Sequence, residues 1–274
     1  MIRSLLRGLF IGFYTMLAAF PLAWLAITSL KPVEDTTATT LKLIPWVDFT
    51  PTLAAYSQLF AGDFPRYLGS SVVVSLISTV ATVALGTCCA YGFSRFPIAG
   101  AKDWLFFILS TRFMPPLAVV APVLVMYRQC DLPNSHLGLI VLYTAFNLSL
   151  AVWLMKGFID EIPRAFEEVV LVDGYTRVQA FVRIILPQAR TGMAVTAVFC
   201  LIAAWNEYGF AMTLNNAAAV TVPTYFAGLQ GDVRGVPWPQ IAGGVLVFVL
   251  PIVVFTVLVR HHLLRGVTFG TVKG

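Results

Sequence analysis

The sequence predicts an all-α protein that crosses a membrane with six helices, and three observations predict it. Of its 274 residues 58% are hydrophobic and only 11% charged, with a mean hydropathy of +0.83, whereas a soluble domain carries about 25% charged residues. Six stretches are long and apolar enough to pass through about 30 Å of hydrocarbon as helices, which takes about 20 residues each. The cations are also shared unequally among the segments between those stretches. A chain so poor in charge is excluded as a water-soluble enzyme, a disordered regulator or a nucleic-acid-binding domain. Its net charge of +5 reads as the mark of cytoplasmic loops and not of a polyanion-binding face.

The spans follow in order. Gly8 to Leu30 carries no charge and exceeds a signal-peptide core of about 7–15 residues, so it reads as an anchor. Tyr67 to Ser94 is the second, with Ser, Thr and Gly through its middle. Trp104 to Tyr127 is the third, interrupted by Arg112, Pro115, Pro116 and Pro122. These prolines remove backbone donors and bend the helix. Leu132 to Met155 is the fourth, Thr191 to about Leu214 the fifth with Glu207 near its far end, and Gln240 to Val259 the sixth.

With the amino terminus inside, the inner segments hold 12 of the Lys and Arg residues and the outer ones five, Lys31, Lys42, Arg66, Arg128 and Arg234, with Arg112 within a span. Cytoplasmic loops concentrate cations, so both termini are expected in the cytoplasm. Residues 31–66 and 215–239 form long external loops, the latter containing Asn215, Asn216, Gly228, Gly231, Gly235, Pro237 and Pro239. No internal repeat stands out, and residues 1–274 read as one membrane domain. Cys88 and Cys89 are adjacent while Cys130 and Cys200 stand alone. That spacing suits neither a metal site nor a redox pair, and these cysteines read as small hydrophobes.

Residues 160–187, DEIPRAFEEVVLVDGYTRVQAFVRIILP, form the longest inner segment and the most informative one. Pro163 suits the first turn of a helix. Ala165, Phe166, Val169, Val170 and Val172 then fall on one broad arc, with Glu168 at its edge. Asp173-Gly174 ends that helix, since glycine accepts the left-handed cap. Val178, Phe181, Val182 and Ile185 follow at helical spacing, and Pro187 is expected to break or kink the second helix before the fifth span. This helix–turn–helix has more apolar surface than a solvated loop needs. It either lies on the bilayer or its own bundle, or docks a cytoplasmic protein.

The segment resembles the signature loop of permease subunits of bacterial ATP-binding-cassette (ABC) importers, E-A-A, three residues, G, nine residues, I, any residue, L-P. The chain reads Glu168-Val169-Val170, three residues, Gly174, nine residues, Ile184-Ile185-Leu186-Pro187. It departs only in Val169-Val170, which keeps those positions apolar. Ser110-Thr111-Arg112-Phe113-Met114-Pro115-Pro116, Trp205-Asn206-Glu207-Tyr208 and the terminal run from Arg265 to Gly274 are similar to the carbohydrate-importing branch, and within it to the six-span permease of the maltose-transporter type. The resemblance covers nearly the whole chain.

That resemblance implies the type I ABC importer permease fold in a bacterial cytoplasmic (inner) membrane. It also implies a second, different permease subunit, two P-loop ATPase subunits and an external solute-binding protein. Glu168, Val169, Val170, Asp173, Gly174, Leu186 and Pro187 would form the joint to an ATPase. The expected cargo is a sugar, glycoside or polyol. The chain has no G-x-x-x-x-G-K-[ST] sequence, and none of its lysines is followed by Ser or Thr. It therefore lacks the phosphate cradle, so ATP and Mg belong on the ATPase chains and no cofactor is expected here.

Intramembrane polar residues normally face protein or a water-filled cavity. Arg112, Tyr143, Asn147, Trp205, Asn206 and Glu207 are therefore the candidates for the translocation path, against a role as glue between helices. An Arg112–Glu207 ion pair would require similar depths, whereas the spacing places the two at roughly 12 and 24 Å from the inner side. His136, His261 and His262 have no carboxylate partner nearby in sequence, and no catalytic or metal site is expected. The alternative class is a gradient-driven secondary transporter, which calls for inverted repeats and several intramembrane carboxylates. Here only Glu207 lies within a predicted span.

Overall fold

The computed structural model describes residues 2–36, 40, 42–215, 217–230 and 235–269. Among these described residues, thirteen α-helices run in order: α1 (Ile2–Ser29), α2 (Val33–Thr36), α3 (Ala54–Ala61), α4 (Phe64–Arg95), α5 (Ala101–Ser110), α6 (Pro116–Gln129), α7 (His136–Asp160), α8 (Ala165–Val172), α9 (Arg177–Ala180), α10 (Leu186–Trp205), α11 (Gly209–Leu214), α12 (Val222–Leu229) and α13 (Trp238–Phe269). No strand occurs among the described residues, so the all-α reading holds. Among the described residues, five helical stretches are long and apolar enough to cross a membrane, and a sixth exists if the bent pair α5–α6 counts as one span.

The third predicted span, 104–127, is thus not a single helix. After α5 come a tight 3-10 turn at Thr111–Phe113 and two extended residues, Met114 and Pro115. The two arms are bent by 96°. Each proline of Pro115-Pro116 disfavours helical backbone in the residue before it, which forces the break, while Pro116 itself suits the first turn of α6.

The chain divides into two compact units. In residues 1–68 with 222–253, α1 is apolar and exposed from Leu6 to Phe20. Beyond it the described residues of 31–66 form more than a bare loop. Lys31 is buried with its ammonium over the Trp24 and Phe49 rings at 5.5 and 5.4 Å, Lys42 pairs with Asp35, and α3 is anchored by Tyr56 donating to Ser29 Oγ at 2.9 Å. The Leu43 and Ile44 amides both donate to Asp48 at 2.8 Å and hold its carboxyl below the usual range. Residues 215–239 likewise contain α12, whose Tyr225 and Phe226 pack on Phe64 at 6.0 Å. Asn216, Gly231 and Arg234 lie outside the described residues.

The second unit, residues 69–221 with 254–274, is built on α4, α7 and α10. The Ser/Thr run of α4 faces inward: Ser75, Ser78, Thr82 and Thr87 are buried, and hydroxyls of Ser75 and Thr87 donate to carbonyls four residues back. That satisfies them without a partner helix. Gly86 lets α4 approach α7, since a Cβ there would meet the Ala151 Cβ at 2.7 Å, and Gly192 of α10 lies against the Phe158 ring. Such small residues permit close helix packing. Of the four cysteines, Cys200 is buried and Cys88 and Cys130 are exposed.

Span limits shift for local reasons. The fourth helix begins at His136, not Leu132, because Asp131 and Asn134 take left-handed backbone and Ser135 caps it, accepting from the Gly138 amide at 3.0 Å. The fifth begins early: α9, a π turn at Phe181–Ile185 and α10 form one helical run from Arg177 to Trp205. Pro187 falls in the first turn of α10, just after the π turn. The wider turn changes the hydrogen-bond register where a proline would break it, so the run continues through Pro187. It ends at Trp205 and not near Leu214, which leaves Glu207 between α10 and α11. The last helix extends to Phe269; residues 270–274 of the terminal motif lie outside the described residues.

Candidate functional site

Two polar clusters lie within the second unit. The first fastens α8. Glu167 stands about 200° around the helix from Ala165, at about 100° per residue, and so points away from the apolar arc. It is buried, and its Oε2 accepts from Arg95 Nε at 3.0 Å, with both side chains about 5% exposed. The Tyr91 hydroxyl donates to its Oε1. The Arg95 guanidinium also donates to the carbonyls of Ile159 at 3.2 Å and Ile162 at 2.8 Å. Beside it, Arg164 donates to the Ser94 carbonyl at 2.9 Å and Ser94 to Asp160 at 2.6 Å. Tyr91, Met155, Ile159, Ile162, Ile185 and Ala189 form the apolar floor.

The opposite side of α8 is open. Phe166, Val169 and Val172 are 51%, 62% and 87% exposed, Ala165 is exposed, and Val170 is half-buried. Glu168 is exposed and takes no part in the Glu167–Arg95 contacts. Asp173 caps α8 and Gly174 follows at φ +86°, as the sequence predicts. Thr176 and Gln179 then start α9 with reciprocal side-chain–backbone bonds. Leu186 is half-buried and Pro187 exposed. Sequence reasoning missed Glu167, Arg95 and Tyr91. The readable signal was the position of Glu167 opposite the arc, but nothing in the spacing ties it to Arg95, 72 residues away.

The second cluster surrounds a cavity of about 250 Å³ whose lining includes Arg112, Tyr143, Phe146, Asn147, Glu207 and Phe210. Glu207 accepts from the Phe210 amide at 2.8 Å, the Ala211 amide at 3.1 Å and the Tyr143 hydroxyl at 2.7 Å. It therefore caps α11, and its charge is met by amides at a helix start. Arg112 donates to Asn147 Oδ1 at 3.0 Å and to the Phe146 carbonyl at 3.2 Å. The two charged groups line one cavity but form no ion pair with each other; each has neutral partners. Four of the six path candidates thus come together. Trp205 is buried and Asn206 is exposed with its amide on the Ile202 carbonyl at 2.9 Å; neither lines the cavity.

Residues 82–265 match the family described as binding-protein-dependent transport system inner membrane component. The chain is similar to the trehalose transport system permease protein of Mycobacterium tuberculosis, 34% identical over 94% of this chain and 93% of that one. It is 30% identical to the sulfoquinovosyl glycerol transport system permease protein of Agrobacterium fabrum, over 93% and 89%. The fold is similar to a chain in the crystal structure of a bacterial ABC transporter involved in import of the acidic polysaccharide alginate, with a TM-score of 0.74 at 20% identity over 95% and 96% of the two chains. With both clusters built on helices of that fold, the chain belongs to the family of binding-protein-dependent transport system inner membrane components and is a multi-pass ABC importer permease.

Proposed function

We propose that this chain is one of two different permease subunits of an ATP-driven carbohydrate importer, with α8 as its joint to a cytoplasmic ATPase. The observation that carries the reading is the inverted helix α8, whose carboxylate Glu167 is turned into the subunit while its apolar arc is left outside. A helix seated on its own bundle would do the reverse. A cleft on an ATPase subunit is the occupant that the signature loop supports. Glu168, Val169, Val170, Asp173 and Gly174 form the joint, and Leu186 and Pro187 carry it into the membrane helix. Both termini then lie in the cytoplasm, two ATPase subunits hold ATP and Mg, and an external binding protein delivers the solute.

The carbohydrate assignment draws on the relatives, whose names specify trehalose and sulfoquinovosyl glycerol. A further structure of similar fold is an alginate transporter with a pentasaccharide-bound periplasmic protein. Within this chain, the cavity of Arg112, Tyr143, Asn147 and Glu207 combines donors, acceptors and the Phe146 and Phe210 rings. That mixture suits a hydroxyl-rich solute, in which oriented hydrogen bonds fix position and apolar walls exclude water.

The test is a gentle-detergent pull-down of this subunit with mass spectrometry of what accompanies it. A second permease, a P-loop ATPase and a binding protein should be recovered, and a thermal-shift screen of that binding protein against sugars and polyols should name the solute. Glu168→Lys and Gly174→Asp should release the ATPase while the subunit stays inserted. A subunit that drives ion-gradient-dependent uptake alone in liposomes would overturn the reading.

A further inference from the structure

We infer that Glu167, Arg95 and Tyr91 form a latch that ties α8 to the inner ends of α4 and α7, so that these residues position the joint rather than touch the partner. The inference rests on the reading of α8 as an ATPase joint and adds what makes that joint move its own subunit. A docked helix transmits motion only if it is fixed to the body it must move. The segment between α7 and α10 is covalently continuous with both, yet a chain connection alone leaves α8 free to swing about Pro163 and Gly174.

The latch removes that freedom. Arg95 ends α4 and reaches three places at once: the Glu167 carboxylate on α8, the Ile159 carbonyl on α7 and the Ile162 carbonyl in the turn between α7 and α8. A guanidinium has a fixed fork of donors, so these contacts set a direction as well as a distance. Tyr91, one turn back on α4, bonds the other carboxylate oxygen and packs its ring at a tilt against Phe181 in the π turn, the centroids 4.6 Å apart. The latch therefore touches α4, α7, α8 and the start of the fifth span. Glu167 and Arg95 are about 5% exposed, so the pair is buried, at the base of a small cavity of about 160 Å³ that Arg164, Glu168 and Arg177 also line. Phe166, Val169 and Val172 remain outside for docking. Adjacent residues Glu167 and Glu168 thus have separate tasks, one inward and one outward.

The test uses the assembled transporter with its binding protein, reconstituted in liposomes, and reads solute transported per ATP hydrolysed. Glu167→Gln keeps the shape and an acceptor for Tyr91 but removes the charge. It should leave ATPase co-purification at the wild-type level while transport per ATP falls about five-fold, the scale on which residues coupling two sites act. Tyr91→Phe, which removes one hydroxyl and should fold normally, is expected to lower transport per ATP about two-fold. A purely structural role would lower the yield of complex without changing this ratio. Unchanged transport per ATP in both variants, with the ATPase still recovered, would overturn the latch alone. Loss of the ATPase from a well-folded Glu167→Gln subunit would overturn it in favour of direct contact. A wild-type subunit that recovers no ATPase would overturn the joint reading and the latch with it.

Discussion

Arg95 and Arg112 are two arginines at the ends of membrane-embedded segments, and they are held in opposite ways. Arg95 faces a carboxylate at 3.0 Å in a buried site. Arg112 is exposed and bonds an amide and a carbonyl, although Glu207 lines the same cavity. In the first cluster the charges neutralise each other and the result is a fixed junction. In the second, each charge is held by neutral dipoles, and the cavity between them sets a few polar groups against a largely apolar wall. Geometry of the first kind resists rearrangement, whereas geometry of the second kind leaves hydrogen-bonding groups facing an open cavity.

The largest effect should come from breaking the neutralised pair. Arg95→Met leaves Glu167 buried without its cation, which costs about 3–5 kcal/mol; thermal unfolding in nanodiscs should show it as a marked drop in midpoint. Tyr143→Phe removes one bond to a charged group at Glu207 and should cost about 2 kcal/mol, with uptake also reduced. Gly174→Ala places a Cβ on backbone at φ +86° and should cost about 1 kcal/mol, seen as faster amide exchange over 165–180. Arg112→Gln should change stability by less than about 0.5 kcal/mol, as at other exposed sites, yet raise the solute concentration needed for half-maximal transport. If Arg112→Gln destabilised as much as Arg95→Met, the contrast between the two arginines would fail.

The spans and the signature loop were legible because they depend on local quantities: apolar length, proline position, the glycine after Asp173. The Ser/Thr run of α4 was visible as composition, but that it faces inward became clear only with α7 in place. The broken third span was half legible, since Pro115-Pro116 announced a bend and gave no angle. The fifth span was misjudged at both ends. Pro187 looks like a boundary in sequence, and the π turn that accommodates it leaves no pattern. Glu207 reads as a residue within a helix because the stretches on either side, up to Trp205 and from Gly209 to Leu214, are apolar enough to continue a span. Only the turn at 206–208, stabilised by Glu207 itself, shows otherwise. Pairings such as Tyr143 with Glu207 and Arg95 with Glu167 join residues far apart in sequence, and no spacing rule reaches them.

The helical run from Arg177 to Trp205 has 29 residues, about 43 Å at 1.5 Å per residue. It starts in the segment where α8 sits and ends at the residue before the turn that holds Glu207. As a stiff pointer pivoting near its first turn, it would carry Trp205 sideways by about 4 Å for a tilt of about 5° over that length. Such a shift exceeds the tolerance of a hydrogen bond. Small angular motions at the α8 end of this run are thus magnified into the making and breaking of individual contacts around the cavity.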